Sequence, residues 1–413
     1  MQSLIGIGAK VAVMTRSIPL RRHLGRIRQR VTGADLEALR TQVAELSGEL
    51  STVSAQLIQA GTTEVPEVDV AIISDFRLPG GTTASIAEET RAQSAAGLST
   101  ALVHAQSAVT TTATGFSRHI MGVVGLPEVH VVSPRAALHA RLVIIRHPFV
   151  METSATELPR LRADRVVLVA NHPAVDADGA WQYDVARADA AARNIFGKPA
   201  EWAPISPVVR ASIAEQSAAA IRMAEQDWVN VFGQELVTTP RAGFVADRPV
   251  IGRHSRPQRE KWPDTPEAIL SAYPDDPQYK VEILGGADIP DQILGRIPQA
   301  WSVTPFGAEA PEHFLQRIDF WVYAHHPKWR EAFGRAIMEA LAAGCLVVLP
   351  GYLREIFGDA ALYAEPEEIR DVVDQYWQDR EGFLEQTRRG QQFAIDHGPG
   401  RHVERLRWRG VTP

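Results

Sequence analysis

The stretch from Glu331 to Glu339 sets two carboxylates eight residues apart, with Phe333-Gly334 just after the first. Phe333, Ile337 and Leu341 recur at i, i+4 and i+8, so the chain from 333 onward is predicted helical, closed by Ala342-Ala343-Gly344. Eight helical residues separate the carboxylates by roughly 12 Å. A glycosidase couple is tighter, at about 5–9.5 Å. The wider spacing suits hydroxyl groups at opposite ends of one elongated ligand. The free N–H groups at the helix start would favour a phosphate between them. A nucleotide-sugar has this layout. The same residues also fit a plainer reading, with Glu339 paired to Arg335 one turn away and Glu331 exposed in a charged turn beside Lys328 and Arg330. Spacing alone leaves both open.

Other chemistries find less support. No clustered Cys/His set of zinc-ligand spacing occurs, and neither a G-x-S-x-G elbow nor a Walker loop is present. The adjacent His325-His326 reads as a turn before Pro327. Cys345, the single cysteine, lies in an apolar run and reads as a buried structural thiol, and it excludes an internal disulfide framework.

The elements that position these residues fall into zones. Residues 1–65 form an appendage. Its first 34 residues carry Lys10, Arg16, Arg21, Arg22, Arg26, Arg28 and Arg30 and no acid, although the chain's net charge is −6. That segment fits an anionic membrane surface through residues 1–30, or a basic arm without a partner. A nucleic-acid binder is not expected from the acidic remainder. Leu36, Leu39, Val43, Leu46, Leu50, Val53 and Leu57 then alternate steps of three and four. This heptad seam predicts self-association through residues 36–57; the alternative is a helix folded back on the body. No apolar run is long enough to span a bilayer, and the charge follows the apolar start rather than preceding it, so a cytoplasmic chain is expected.

Gly61 to Pro66 reads as a linker. Beyond it, apolar runs at 68–74, 98–104, 129–132, 142–146 and 166–170 read as strands, with helices at 83–96, 186–195 and 208–222. The pattern repeats from 250, with strands at 280–284, 320–324, 346–349 and 361–363 and a helix at 266–272. Strands alternating with helices imply parallel sheets. The expected division is a domain at 66–245, a second at 246–395, and a C-terminal segment at 396–413 that crosses back to the first. The default site is the cleft between the two.

Here a resemblance enters. The segment 331–344 resembles the E-x7-E signature of retaining glycosyltransferases of the GT-B fold, the family-4-like group. Leu346 to Pro350, Gly351, Glu355 and Gly358-Asp359-Ala360 resemble that family's next strand, glycine loop and following segment. Ile251-Gly252-Arg253 resembles the opening of its second domain, and Gly80-Gly81 with Glu88, Arg91 and Gly97 its first strand–loop–helix. The likeness covers about residues 68–395 and leaves out 1–65. It implies an α/β chain of GT-B architecture, two Rossmann-like domains facing a cleft, here with an N-terminal helical appendage.

The resemblance also implies roles. Glu331 contacts hydroxyls of the transferred sugar, Glu339 holds the ribose, and Phe333-Gly334 presents backbone N–H groups to sugar and diphosphate. Arg253 and a nearby lysine neutralise the diphosphate. The family sets that lysine about five residues after the arginine; here the first is Lys261, eight on, with Arg256 and Arg259 as rivals. Asn171-His172-Pro173 matches the family's active-site histidine best, with His147-Pro148 second. Gly80-Gly81 lets donor phosphate or acceptor approach. The implied activity is sugar transfer from a nucleoside-diphosphate-sugar to a glycan or lipid-linked acceptor in cell-envelope assembly, without cofactor or metal, at the inner face of the plasma membrane. Alternatives are a coiled-coil scaffold whose GT-B body binds a glycan or nucleotide without turnover, and a GT-B epimerase or phosphorylase.

Overall fold

Runs rich in Val, Ile and Leu, buried on both faces, build the two sheets of the protein, as parallel sheets covered by helices require. The structure, a computed structural model, describes residues 33–58, 67–108, 115–133, 136–154, 158, 160–216, 221–233 and 237–413. The basic segment 1–30 and the linker 61–66 lie outside them.

Among the described residues the first sheet holds β1 (Glu67–Ser74), β2 (Thr100–His104), β3 (Val129–Val132), β4 (Leu138–Arg146), β5 (Leu161–Ala170), β6 (Glu201–Pro204) and β7 (Arg222–Met223). Their order is β3-β2-β1-β4-β5-β6-β7, all parallel. The second holds β8 (Val250–His254), β9 (Lys280–Leu284), β10 (Trp301–Thr304), β11 (Phe320–Val322), β12 (Leu346–Leu349) and β13 (Leu362–Tyr363), in the parallel order β10-β9-β8-β11-β12-β13. The strand order reverses between β1 and β4, and again between β8 and β11. Such switch points open a crevice at the carboxyl ends of the strands.

Two expectations need correction. The helix predicted over 208–222 spans Pro207–Glu215, and Arg222 instead pairs with Glu201 as part of β7. Edge pairing there overrides helical propensity. The helix predicted from 333 begins at Arg335, because Gly334, at φ 83°, turns the chain at its N-cap.

The C-terminal helix Pro399–Trp408 packs on helix Gly81–Ala95 of the first domain. Glu89 anchors this contact with no exposure. It accepts from Trp228 Nε1 at 2.7 Å and lies 3.4 Å from Arg146 and 3.9 Å from His402. Burial opposes its ionisation, but the charges of Arg146 and Arg405 outweigh that and hold the carboxyl below its ordinary range. Cys345 is buried, and burial pushes its thiol up to about 11, which suits a packing role.

Candidate active site

The two switch points face each other across a cavity of about 460 Å³. From the first domain come Gly81, Thr82, Ser85, His147, Asn171 and His172; from the second come Arg256, Lys261, Glu331, Phe333, Gly334 and Arg335. The walls are tied together by Ser206 Oγ, which donates to the Ala332 carbonyl at 2.5 Å, and by the ion pairs Arg330–Glu215 at 2.7 Å and Lys328–Asp178 at 3.0 Å.

Glu331 gathers three side-chain donors on one carboxylate oxygen. Its Oε2 accepts from Lys261 Nζ at 2.7 Å, from Tyr323 Oη at 2.6 Å and from Trp329 Nε1 at 3.4 Å. Burial resists ionisation, but the Lys261 charge beside it prevails and lowers the carboxyl to about 2. Lys261 itself sits 4.4 Å from the Trp329 ring centroid. The backbone is held as firmly, since Glu331 N–H donates to Tyr352 Oη at 3.0 Å. Tyr352 in turn lies 2.9 Å from His325 Nε2, and His325 Nδ1 lies 2.8 Å from the His326 carbonyl. A carbonyl only accepts, so Nδ1 carries the proton and Nε2 accepts from Tyr352. Burial keeps this ring neutral, with its pKa lowered to about 4.

Glu339 lies about one turn into the helix Arg335–Ala342, behind the residues that line the cavity. Its Oε1 accepts from Arg335 Nε at 3.0 Å, the i, i+4 pair that spacing allowed, and its Oε2 lies 2.9 Å from His254 Nε2. Trp321 Nε1 lies 2.9 Å from His254 Nδ1. An indole N–H can only donate, so Nδ1 is the accepting nitrogen and Nε2–H points its proton at the carboxylate. Burial raises the Glu339 pKa, while His254 and Arg335 bring it below the ordinary range.

Arg253 does not line the cleft. It lies in β8, buried, with its guanidinium 3.9 Å from the Trp262 ring centroid and Nη2 donating to the Lys261 carbonyl. It fastens the short turn Arg259–Lys261 from below. The cations that line the cavity are Arg256, Lys261, Arg330 and Arg335, and Arg256 is one of the sequence rivals. Gly80 caps helix Gly81–Ala95 at φ 88°, and its neighbour Gly81 lines the cavity with open space where a Cβ would stand.

Both candidate histidines are present. The His172 ring lies 6.2 Å from that of His147, nearly parallel. His172 Nδ1 donates to the Pro173 carbonyl at 2.9 Å, because a carbonyl only accepts. His147 holds a positive φ of 81° without being glycine, a conformation that costs energy and collects at functional sites. Burial, with His172 nearby, lowers its pKa to about 3.

Tyr323, Tyr352, Trp329 and His254 are the residues that sequence reasoning missed. Tyr352 follows Pro350-Gly351, and Tyr323 sits at the end of the β11 run, yet neither carries a motif of its own.

The sequence matches no protein-family model and no curated protein. Solved structures do match. A glycosyltransferase from Rickettsia africae is 11% identical, covering 84% of this chain and 100% of its own, with a TM-score of 0.53. The lipopolysaccharide outer core galactosyltransferase WaaB is 12% identical, over 83% and 100%, with a TM-score of 0.52. TarM from S. aureus is 16% identical over 65% of this chain, with a TM-score of 0.47; the chain spans about half of TarM's length, 55%. The two parallel-sheet domains have the fold of GT-B glycosyltransferases.

Proposed function

We propose that the chain is a retaining glycosyltransferase that moves a sugar from a nucleoside-diphosphate-sugar to an acceptor hydroxyl in cell-surface glycan assembly. One observation carries the reading. An ionised Glu331, gripped by Lys261 and Tyr323, faces Gly81 and two histidines across a cavity of about 460 Å³ between two switch points.

In this reading Glu331 receives hydroxyls of the donor sugar, and His172 and His147 border the same sugar from the other domain. Glu339, with a lone pair left on each oxygen, accepts the ribose hydroxyls. The backbone at Phe333-Gly334 faces the diphosphate. Lys261, Arg256 and Arg335 neutralise it as it departs, which is stabilisation of charge that develops in the transition state. Arg253 acts through the Lys261 turn. The anomeric C–O bond to the diphosphate breaks while the acceptor oxygen bonds the same carbon from the same face. The acceptor proton passes to the departing phosphate oxygen, so configuration is kept. Holding donor and acceptor in contact supplies much of the effect. The acceptor is a glycan or lipid-linked, met in the cytoplasm at the inner face of the plasma membrane.

The test is a panel of nucleotide-sugars, followed by nucleoside-diphosphate release and by the melting temperature, which a ligand that binds only the folded chain raises. Release with one donor, absent in Glu331→Ala, supports transfer. Stabilisation without release, with or without acceptor, favours the non-catalytic scaffold. No response to any donor removes the reading.

A further inference from the structure

Helix Gly33–Ile58 meets its own domain through small residues and turns its apolar seam outward. Ala44 is buried. Gly48 lies against His104, where a Cβ would stand 2.9 Å from Nε2, and Ser51 Oγ accepts the backbone N–H of Phe116 at 3.2 Å. Positions 44, 48 and 51 share one helix face. Away from it stand Leu39, Val43, Leu46, Leu50 and Val53, each between 45% and 71% exposed. A helix that folds back to bury its amphipathic side does the reverse.

We propose that this seam joins two copies of the chain, helix against helix. The spacing argues for a helix as the occupant. Alternating steps of three and four average 3.5 residues per turn, and such a seam stays aligned only along a partner helix that supercoils with it. Charge argues against a lipid surface. The helix holds one basic residue, Arg40, against Asp35, Glu37, Glu45 and Glu49, the opposite of what anionic headgroups attract. The chain's own body is already engaged by the other face. A second copy brings an identical seam, and a two-fold axis makes identical surfaces complementary.

Length fits as well. Three heptads are marginal for a free coiled coil, because an isolated helix must first be nucleated. Here docking through Ala44, Gly48 and Ser51 has ordered the helix beforehand, so association has less order left to impose. The junction also lies near the cleft. His104 and Phe116 form an aromatic cluster with Phe76, with centroids 5.0–5.8 Å apart. Phe76 lies within the buried pair Asp75–Arg77, just before the turn Leu78-Pro79-Gly80-Gly81.

Sedimentation equilibrium of the full chain at micromolar concentration tests this. Wild type is expected at twice the chain mass of 45.3 kDa, and Leu46→Asp/Leu50→Asp at the chain mass with unchanged circular dichroism. Should the double variant not fold, Leu50→Ser, a mild change on an exposed face, must weaken the dimer at least about tenfold. A monomeric wild type overturns the proposal. So does a dimer that survives either variant unchanged, or a wild-type monomer that instead pellets with anionic phosphatidylserine vesicles.

Discussion

Lys261 Nζ donates to Glu331 Oε2 across 2.7 Å, joining the turn after β8 to the segment after β11. The side chains are 12% and 14% exposed, so solvent screens the pair little. Breaking a buried pair leaves one charge stranded, whereas replacing both partners removes the problem. Lys261→Met alone is therefore expected to destabilise by about 3 kcal/mol. Adding Glu331→Gln should restore more than half of that. Urea unfolding of the two variants checks it; equal midpoints would contradict the pairing. Both variants are expected to lose transfer.

The indole of Trp321 sets which nitrogen of His254 faces Glu339. Trp321→Phe removes the donor, so the ring is no longer held with its Nε2 proton on the carboxylate. If Glu339 grips the ribose, donor affinity should fall about tenfold, or about 1.4 kcal/mol, the size of one charged hydrogen bond. Calorimetric titration with the donor measures this. An unchanged Kd would detach Glu339 from the nucleotide.

Two glycines of the cleft should behave oppositely. Gly334 has φ 83°, and a Cβ there would stand 2.4 Å from Cδ1 of Ile337, a core residue. Gly334→Ala is expected to cost about 1–3 kcal/mol through backbone strain alone. Gly81→Ala meets nothing within 4 Å and no positive φ, so its stability should change by less than about 0.5 kcal/mol. It still narrows the cavity. A drop in donor or acceptor affinity at constant melting temperature is expected from Gly81→Ala; unchanged affinity for both would separate that turn from the ligand.

The strands at 129–132, 280–284 and 346–349 and the helix at 266–272 could be read to the residue, because each apolar or capped run is bounded by a breaker. The seam of residues 36–57 was also legible, but its direction was not. Which side docks depends on Gly48 fitting His104, a contact between distant segments. The same limit applies in the cleft. Eight-residue spacing picks out Glu331 and Glu339, yet Tyr323, Tyr352 and His254 reach them only through the order of β8, β11 and β12. Arg253 illustrates the converse. Its motif position suggests a surface cation, while its place in a buried strand turns the guanidinium onto Trp262.

Acid should unfold this protein early, and the sign follows from its histidines. Burial comes first in lowering His147 and His402 to about 3 and His104, His325 and His397 to about 4, against 6.5 for an unperturbed ring. Between those values the unfolded chain binds protons that the folded chain refuses, so stability rises with pH there. Above 6.5 their contribution is whole; it drains away as the pH falls from 6.5 toward 4 and 3. Each such ring contributes up to about 1.4 kcal/mol per pH unit in that window. Glu331 acts lower, since its carboxyl falls from 4.5 to about 2, and its share is lost only below 4.5. The urea midpoint is therefore expected to be flat from pH 8 to 7 and to fall steadily below about 6.5. His402→Gln, at a ring that contacts Gln93, should make that fall shallower by one proton's worth. A midpoint as high at pH 5 as at pH 7.5 would mean that these rings are protonated in the folded chain.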